Sequence, residues 1–472
     1  MRPELIAALG DIVGPRWVRH RRAELATYTM DGLPTRESFP GVVVMPGSSA
    51  EVRAIARLLH LTATPFVARG AGTGLSGGAV ADPDAVLVAL TRMNRILEVD
   101  PVRRRATLQP GVVNARLSEA ALPHRLQYVP DPSSQAACTV GGNVAENAGG
   151  PHCLKYGVTT NHVVELEVVL PDASVVRLGS SQGEPWGPDL VGLFVGSEGM
   201  FGIATEIVVR LEPIPASVRT MLADFSTVRS ASEAVSAIIR TGIVPAALEM
   251  MDRACVQAVE ASIYAAGYPT DAAAVLLVEL DGGSDAVEAE SRTVIEILRE
   301  RGAREVRSAS TPADRARLWQ GRKKAFGAMG RIAPDLAVQD AVVPRSALPD
   351  IMDRIEEIRS RHGLSISNVF HAGDGNLHPN ISFDRRDADL AGRVHLACRE
   401  IMADCVDAGG SITGEHGVGS DKIDYMPLIF DPDTLAAMRA VRLAFDPEER
   451  ANPGKVVPVH ACREWRATPA SR

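Results

Sequence analysis

Cysteine is scarce in this sequence and never closely paired. The six residues, Cys138, Cys153, Cys255, Cys398, Cys405 and Cys462, form no C-x-x-C motif, so neither a disulfide framework nor an iron–sulfur relay is indicated. Cys398 and Cys405 recur with Leu390, Val394 and Ile401 at spacings of three and four, which places them on the apolar face of a helix ending at Gly409-Gly410. Long apolar runs are missing too. The longest, AVLVAL at 85–90 and AAAVLLV at 272–278, fall far short of a membrane span. The N-terminus lacks a signal-peptide pattern, so the expected compartment is cytoplasmic. No long run of one charge occurs, and a net charge of −8 argues against a nucleic-acid partner. Small-molecule chemistry is the class that remains.

Glycine, by contrast, is clustered. With 472 residues, 46% of them hydrophobic, the chain has the length of roughly two or three soluble domains. A capping-box pattern from Ser48 to Glu51 opens a helix with Val52, Ile55 and Leu59, and a strand TPFVA follows, ending at Ala68. Three glycine-rich stretches then interrupt β-rich runs: RGAGTGLSGGAV at 69–80, TVGGNVAENAGG at 139–150 and VGSEGMFGI at 195–203. Gly72-x-Gly74-x-x-Gly77 formally matches a dinucleotide fingerprint, but the chain continues as ADPDAVLVAL where a helix should begin, which rejects a Rossmann site. A glycine loop between strands still supplies an anion nest of unobstructed amides, and Arg69 adds charge.

From about Pro213 the texture changes to alternating helix and strand. One unit contains a helix opened by Ser230 to Glu233, strands at ALEMM and AVLLVEL, and a helix from Asp285 to Arg301. The other contains a strand LAVQDAVV, a helix from Ser346 to Arg361, a strand from Ser365 and a helix from Asp387 to Asp407. Together they predict a domain with an antiparallel sheet covered by helices.

Within that second unit, NVFHAGDGNLHPNI at 368–381 holds two histidines seven residues apart. Gly373 and Gly375 make a continuous helix costly, and on an unbroken strand an odd offset points side chains to opposite faces. A strand Ser365–Phe370 that breaks into a glycine loop and resumes at Leu377 lets His371 and His378 converge on a metal. GGSITGEHGVGSDK at 409–422 supplies Glu415 as a third ligand, making a His₂Glu set suited to Zn²⁺, or to Mn²⁺ or Fe²⁺. Adjacent residues point in different directions, so His416 faces the substrate, as general base or as a simple hydrogen-bond partner. Asn380, two residues after His378, points to the same side and can hydrogen-bond the substrate.

RGAGTGLSGGA, PDPSSQAACTVGGNVAENAGG, KYG at 155–157, GSEGMFGI, HAGDGNLHPN, GGSITGEHGVG and NPGK at 452–455 resemble the ordered motif set of the FAD-linked 2-hydroxy acid dehydrogenases and oxidases. That family shares its flavin fold with vanillyl-alcohol oxidase and includes D-lactate dehydrogenases, D-2-hydroxyglutarate dehydrogenases and glycolate oxidase flavoprotein subunits. The resemblance implies an α+β fold: a two-part FAD-binding domain of the vanillyl-alcohol oxidase type at 1–213, an α+β cap domain with an antiparallel sheet at 214–430, and a segment at 431–472 packing back on the first domain. It implies FAD, its pyrophosphate cradled by Arg69, Gly70, Gly72, Thr73, Gly74, Ser76, Gly77 and Gly78. Pro132, Ser133, Gly141, Gly142, Asn147, Gly149, Glu198, Gly202 and Ile203 would line the isoalloxazine and ribityl, with Asn452 completing the set. Residues 61–123 contain no histidine, so no covalent flavin link of the kind some relatives make is expected.

The resemblance also implies the same metal ligands, His371, His378 and Glu415, and it assigns Arg322 in LWQGRKKAF to the substrate carboxylate, which a planar fork suits. Hydroxyglutarate-type members carry further groups for a second carboxylate, a threonine four residues after the arginine and a lysine beyond it. Here Phe326 and Leu336-Ala337-Val338 stand in that region, which favours a small monocarboxylic 2-hydroxy acid such as glycolate or D-lactate. Electrons are expected to leave to a separate protein or quinone-linked partner, through which the chain would reach a membrane; homo-oligomerisation is left open. The competing readings are a metal-dependent hydrolase with a His₂Glu site and a non-catalytic flavin-binding subunit.

Overall fold

The structure, a computed structural model, describes residues 1–182 and 187–458. Cys462 and the end of the expected 431–472 segment lie outside the described residues. The chain divides into two compact units. The first contains Met1–Gly149, Val158–Pro213 and the chain from Glu415 onward; the second contains Gly150–Gly157 and Ile214–Gly414. The return to the first unit thus begins at Glu415, earlier than 431.

The first unit opens with β1 (Val18–Arg19), β2 (Val42–Val44), β3 (Phe66–Arg69) and β4 (Val86–Ala89) in the order β1-β2-β4-β3, with β2 and β3 parallel to the central β4. Parallel strands need a crossover, and the helix Ser49–Leu61 supplies it between β2 and β3. Ser48 Oγ accepts from the Glu51 amide at 3.2 Å, while the Glu51 carboxylate accepts from the Gly47 amide at 2.7 Å, one residue beyond the expected capping box. Val52, Ile55 and Leu59 are buried against the sheet's valines as the periodicity predicts.

A five-stranded antiparallel sheet begins with β5 (Ile96–Asp100) and β6 (Arg105–Leu108). A short β7 (Leu126–Gln127) stands apart. Then β8 (Val163–Val169), β9 (Val175–Gly179) and β10 (Ile203–Arg210) complete the sheet in the order β5-β6-β10-β8-β9, and β11 (Glu212–Pro213) pairs with β7. Residues 450–452 run beside β3: the Phe66 amide donates to Arg450 O, and the Asn452 amide donates to Phe66 O. That ladder anchors NPGK next to the first glycine loop.

The second unit is built on β12 (Ser217–Phe225), β13 (Ala247–Asp252), β14 (Ala274–Gly282), β15 (Ala303–Ser308), β16 (Asp335–Val338), β17 (Ala341–Val342), β18 (Ser365–His371), β19 (Asn376–Leu377) and β20 (Pro379–Phe383). The sheet runs β15-β12-β14-β13-β18-β19-β17, and β20 pairs with both β18 and β16. All of these pairings are antiparallel. Two local expectations are corrected. The helix expected to open at Ser230 spans Val228–Arg240, because Thr227 takes the N-cap and accepts from the Ser230 amide at 3.1 Å. LAVQDAVV is two strands: β16 pairs with β20 and β17 with β19, so the chain bends at Gln339-Asp340. The helix Ala388–Asp407 buries Val394, Cys398, Ile401 and Cys405 as expected. No helix among the described residues is long and apolar enough to cross a membrane.

Glu279, in the middle of β14, is only 1% exposed. Its carboxylate accepts from Thr220 Oγ1 (2.5 Å), Arg315 Nε (2.8 Å) and Nη2 (2.6 Å), and Trp319 Nε1 (2.7 Å). His152 Nε2 lies 3.4 Å away. Arg315 and Trp319 belong to the helix Pro312–Lys323, so this one carboxylate fixes that helix on the sheet. Burial alone would raise the pKa of Glu279, but Arg315 and His152 outweigh it and hold the group well below its ordinary 4.5. A depressed folded-state pKa contributes stability that is present above 4.5 and is lost as pH falls further. Glu279→Gln is expected to destabilise the protein by about 3–5 kcal/mol at neutral pH. It should also flatten the fall in melting temperature between pH 5 and pH 3, measured by thermal unfolding beside the parent.

Candidate functional site

Two groups of predicted residues assemble, one in each unit. In the first unit the loop after β3 carries Gly70, Gly72, Thr73, Gly74, Ser76, Gly77 and Gly78. Arg69 does not reach outward from it. Its guanidinium is buried and donates to Met30 O (2.8 Å) and Ala79 O (3.2 Å), so it braces the loop from within. Gly72 has φ of +70°, and a Cβ there would collide with the Arg69 guanidinium. Among the described residues, no backbone N–H from Gly72 to Gly78 donates to a protein acceptor. Ser76 Oγ is buried with no hydrogen-bond partner. A run of uncommitted amides with an orphaned hydroxyl can cradle an anionic diphosphate.

The other predicted cofactor residues of this unit hold the cradle or flank it. Asn452 Nδ2 donates to Gly78 O (3.0 Å) and Glu198 O (2.6 Å), and the Glu198 carboxylate accepts the Val418 and Gly419 amides, each at 2.7 Å. Gly141 and Gly142 lie in the helix Val140–Glu146, Asn147 caps it in the left-handed conformation, and Gly149 is buried just beyond. Pro132 and Ser133 sit half-buried in a turn closed from Pro132 O to the Gln135 amide, and Gly202 leads into Ile203, the first residue of β10. Glu146, which sequence reasoning did not single out, approaches Gly78 and leaves Oε2 without a hydrogen-bond partner. Burial pushes Glu146 well above the carboxylate range, with Glu198 adding repulsion, and burial also pushes Glu198 up to about 7.

In the second unit, β18 ends at His371 and β19 and β20 follow on either side of His378, so the expected strand, glycine loop and resumption are found. The two imidazoles meet edge to face, with ring centroids 5.2 Å apart. His371 stands opposite Glu249 in the β13–β18 register, and its Nδ1 lies 2.8 Å from Glu249 Oε1. A carboxylate can only accept there, so Nδ1 carries the proton and Nε2 is the nitrogen turned away from Glu249. Two buried imidazoles, one oriented by a carboxylate, fit a divalent cation such as zinc.

Arg322, in the last turn of the helix Pro312–Lys323, comes to the same place. It is 1% exposed, and its Nη2 lies 2.5 Å from Glu249 Oε2. The contact is a close ion pair at an angle too poor for a hydrogen bond, and Nε and Nη1 are buried without a protein partner. Burial opposes ionisation of Glu249, but Arg322 and His371 outweigh it and keep the carboxyl below its ordinary range. Asn380 is also buried, yet its amide group is directed to the backbone, donating to His378 O (2.6 Å) and Ser367 O (3.3 Å); only Oδ1 has no partner. Phe326 lies 6.4 Å from the His378 ring, centroid to centroid.

Asp340, at the bend between β16 and β17, is fully buried. Its Oδ2 accepts from Thr413 Oγ1 (2.6 Å) and the Gly414 amide (3.0 Å), and Oδ1 lies 3.4 Å from His378 Nε2. Gly414 also packs on Asn376 so closely that no Cβ would fit. The second unit therefore ends tied to the histidine pair, and Glu415 and His416 are the next two residues of the chain. Glu249 and Asp340 escaped the sequence reading, although each is a lone carboxylate inside an apolar strand run, ALEMM and LAVQDAVV.

The family described as FAD linked oxidases, C-terminal domain, matches residues 214–456, and the one described as FAD binding domain matches residues 40–179. The chain is 46% identical to the glycolate oxidase subunit GlcD of Escherichia coli (strain K12), covering 99% of this chain and 93% of that protein. GlcD of Bacillus subtilis (strain 168) is 38% identical, over 94% and 95% of the two chains. The D-lactate dehydrogenase of Anaerostipes hadrus is 34% identical, over 88% and 89%. Among solved structures, p-cresol methylhydroxylase superposes with a TM-score of 0.82 at 17% identity, covering 96% of both chains. The 4-ethylphenol oxidase of Gulosibacter chungangensis gives 0.77 at 20%, covering 97% and 98%. These structural likenesses bear on the fold alone, which is α+β with an FAD-binding part of the vanillyl-alcohol oxidase type. In such a cradle Gly72→Ala introduces strain of about 1–3 kcal/mol and displaces the Arg69 brace. The expected outcome is purified protein with markedly less FAD, read from the ratio of flavin to protein absorbance.

Proposed function

This chain belongs to the FAD-linked oxidases, and from that premise we propose that it oxidises a small monocarboxylic 2-hydroxy acid, glycolate or D-lactate, to the 2-oxo acid. Electrons then pass to a separate acceptor. The observation that carries the substrate class is Arg322: a buried guanidinium whose Nε and Nη1 have no protein partner. Such buried donors are costly to leave unmade, and a substrate carboxylate would supply the missing acceptor.

FAD, when bound, supplies a two-electron acceptor for the substrate Cα–H bond. The loop from Gly70 to Gly78 would hold its pyrophosphate through the uncommitted amides. A divalent metal, zinc by ligand type, would be held by His371, His378 and Glu415, and when bound supplies Lewis acidity toward the substrate hydroxyl. What supports the third ligand is the tie of Gly414 to Asp340 beside His378, with Glu415 the next residue. His416 would take the hydroxyl proton, and Arg322 would orient the carboxylate. Asn380 would present Oδ1 to the substrate.

Small size follows from the surroundings. Phe326 stands near His378, and β16 runs Leu336-Ala337-Val338 alongside β20, with Val338 opposite Asn380. None of these side chains can neutralise a second carboxylate. The absence of paired cysteines leaves the flavin as the redox centre readable in the chain, which supports a separate protein or quinone-linked acceptor.

Anaerobic mixing with D- and L-2-hydroxy acids is expected to bleach the flavin with glycolate or D-lactate. No bleaching with any monocarboxylic acid would remove the proposal. Arg322→Lys should raise KM roughly ten- to hundredfold, because a point charge replaces a fork. His378→Ala should abolish bleaching while FAD absorbance persists. For the acceptor, steady-state turnover is expected with an artificial dye and not with NAD⁺; fast reduction of NAD⁺, or brisk peroxide formation with O₂, would argue against a separate acceptor.

A further inference from the structure

Glu249 has 0% exposure and sits in β13 among Leu248, Met250 and Met251, all buried. A carboxylate in such a position is costly unless charged partners and hydrogen bonds compensate it. It has one partner on each oxygen. Oε1 lies 2.8 Å from His371 Nδ1, and Oε2 lies 2.5 Å from Arg322 Nη2. These come from separate elements, β18 and the helix Pro312–Lys323, and the β13–β18 register places Glu249 directly opposite His371.

We propose that Glu249 is a positioning residue that orients the metal-ligand imidazole of His371 and the substrate-binding guanidinium of Arg322 with a single carboxylate, and so couples metal binding to substrate binding. The inference rests on the function proposed above and deepens it. The physical basis is twofold. By accepting from Nδ1, Oε1 fixes the tautomer and ring plane that turn Nε2 away from β13, toward the side where a ligand can use it. By drawing in Nη2, Oε2 holds the guanidinium in place and leaves Nε and Nη1, on its two other sides, as uncommitted donors for a carboxylate. Because both depend on one side chain, loosening either oxygen disturbs both, and the coupling must be reciprocal: a bound carboxylate should tighten metal binding as much as metal tightens carboxylate binding.

The test compares parent, Glu249→Gln and Glu249→Asp, each as the FAD-loaded full chain. Gln keeps an acceptor for His371 but removes the charge that holds Arg322; Asp keeps the charge but is one methylene too short to serve both partners. Zinc affinity is measured by competition with a chromophoric chelator, with and without pyruvate as a non-oxidisable carboxylate. KM and kcat for the hydroxy acid are measured with a dye. The expected result is a zinc affinity about ten- to hundredfold weaker, KM raised about tenfold or more, and loss of the pyruvate effect on zinc, while FAD content stays at the parent level. Unchanged zinc affinity and unchanged KM in both variants would overturn the proposal. Should Glu249→Gln lose FAD and fold, Glu249→Asp decides by the same readings. If the parent binds no zinc that His378→Ala removes, the metal reading of the site has failed; the KM arm then decides Glu249 alone, with parent-like values overturning its role.

Discussion

A carboxylate buried in a β-sheet must find a cation or a set of donors, and the second unit is organised by that constraint. Glu249, Asp252, Glu279 and Asp340 each interrupt an apolar strand run, and each gathers groups from elements distant in sequence. Glu279 draws the helix bearing Arg315 and Trp319 onto β14, which brings Arg322 of the same helix to β13. Glu249 then meets Arg322 and His371. Asp252 caps the helix Arg253–Glu260 through the Cys255 amide and accepts both the amide and Nδ2 of Asn368, holding β18 just before His371. Asp340 ties the end of the unit to His378. Breaking one of these pairs leaves an uncompensated buried charge, so the site and the fold share the same interactions.

The first unit uses the opposite material. Its cradle is backbone, and the side chains around it act as struts: Arg69 to Met30 and Ala79, Asn452 to Gly78 and Glu198, Lys455 Nζ to Val80 O at 2.9 Å. Most of these groups reach carbonyls rather than pointing at a ligand, which leaves the loop's N–H groups as its exposed chemistry. An array of amides has partial positive charge without needing a counter-ion when empty, and it approaches a diphosphate without intervening side chains. The metal ligand set proposed for the second unit, in contrast, needs side chains held at fixed angles, and a sheet stiffened by buried ion pairs is suited to hold them.

Much of this arrangement is legible in the residues by themselves. The glycine clusters, the His371–His378 spacing around a Gly-Asp-Gly-Asn loop, the periodicity of Cys398 and Cys405, and the alternation of helix and strand after Pro213 all report short-range geometry, which chain sterics dictate. Cap positions are not fixed locally, since Thr227 and Ser230 offer the same hydroxyl and only the surrounding chain selects one. The partition of LAVQDAVV into two strands was hidden for a related reason: pairing partners β20 and β19 lie far along the chain, and a strand ends where its partner does.

The destination of each charge, by contrast, is set by the packed fold. Sequence placed Arg69 as a cation for a diphosphate, whereas the fold directs its guanidinium to carbonyls behind the loop. The position of Asn380 after His378 predicts a substrate contact, and the fold commits its amide to His378 O and Ser367 O, leaving Oδ1. Glu249, Glu279 and Asp340 are single acids in apolar runs, and nothing in those runs names their partners. Their roles depend on which cation or amide three-dimensional packing brings within about 3 Å, and electrostatic interaction in a low-dielectric interior depends steeply on that distance. Local geometry is a property of neighbouring residues and can be read from their order; the pairing of buried charges is a property of the folded sheet and cannot.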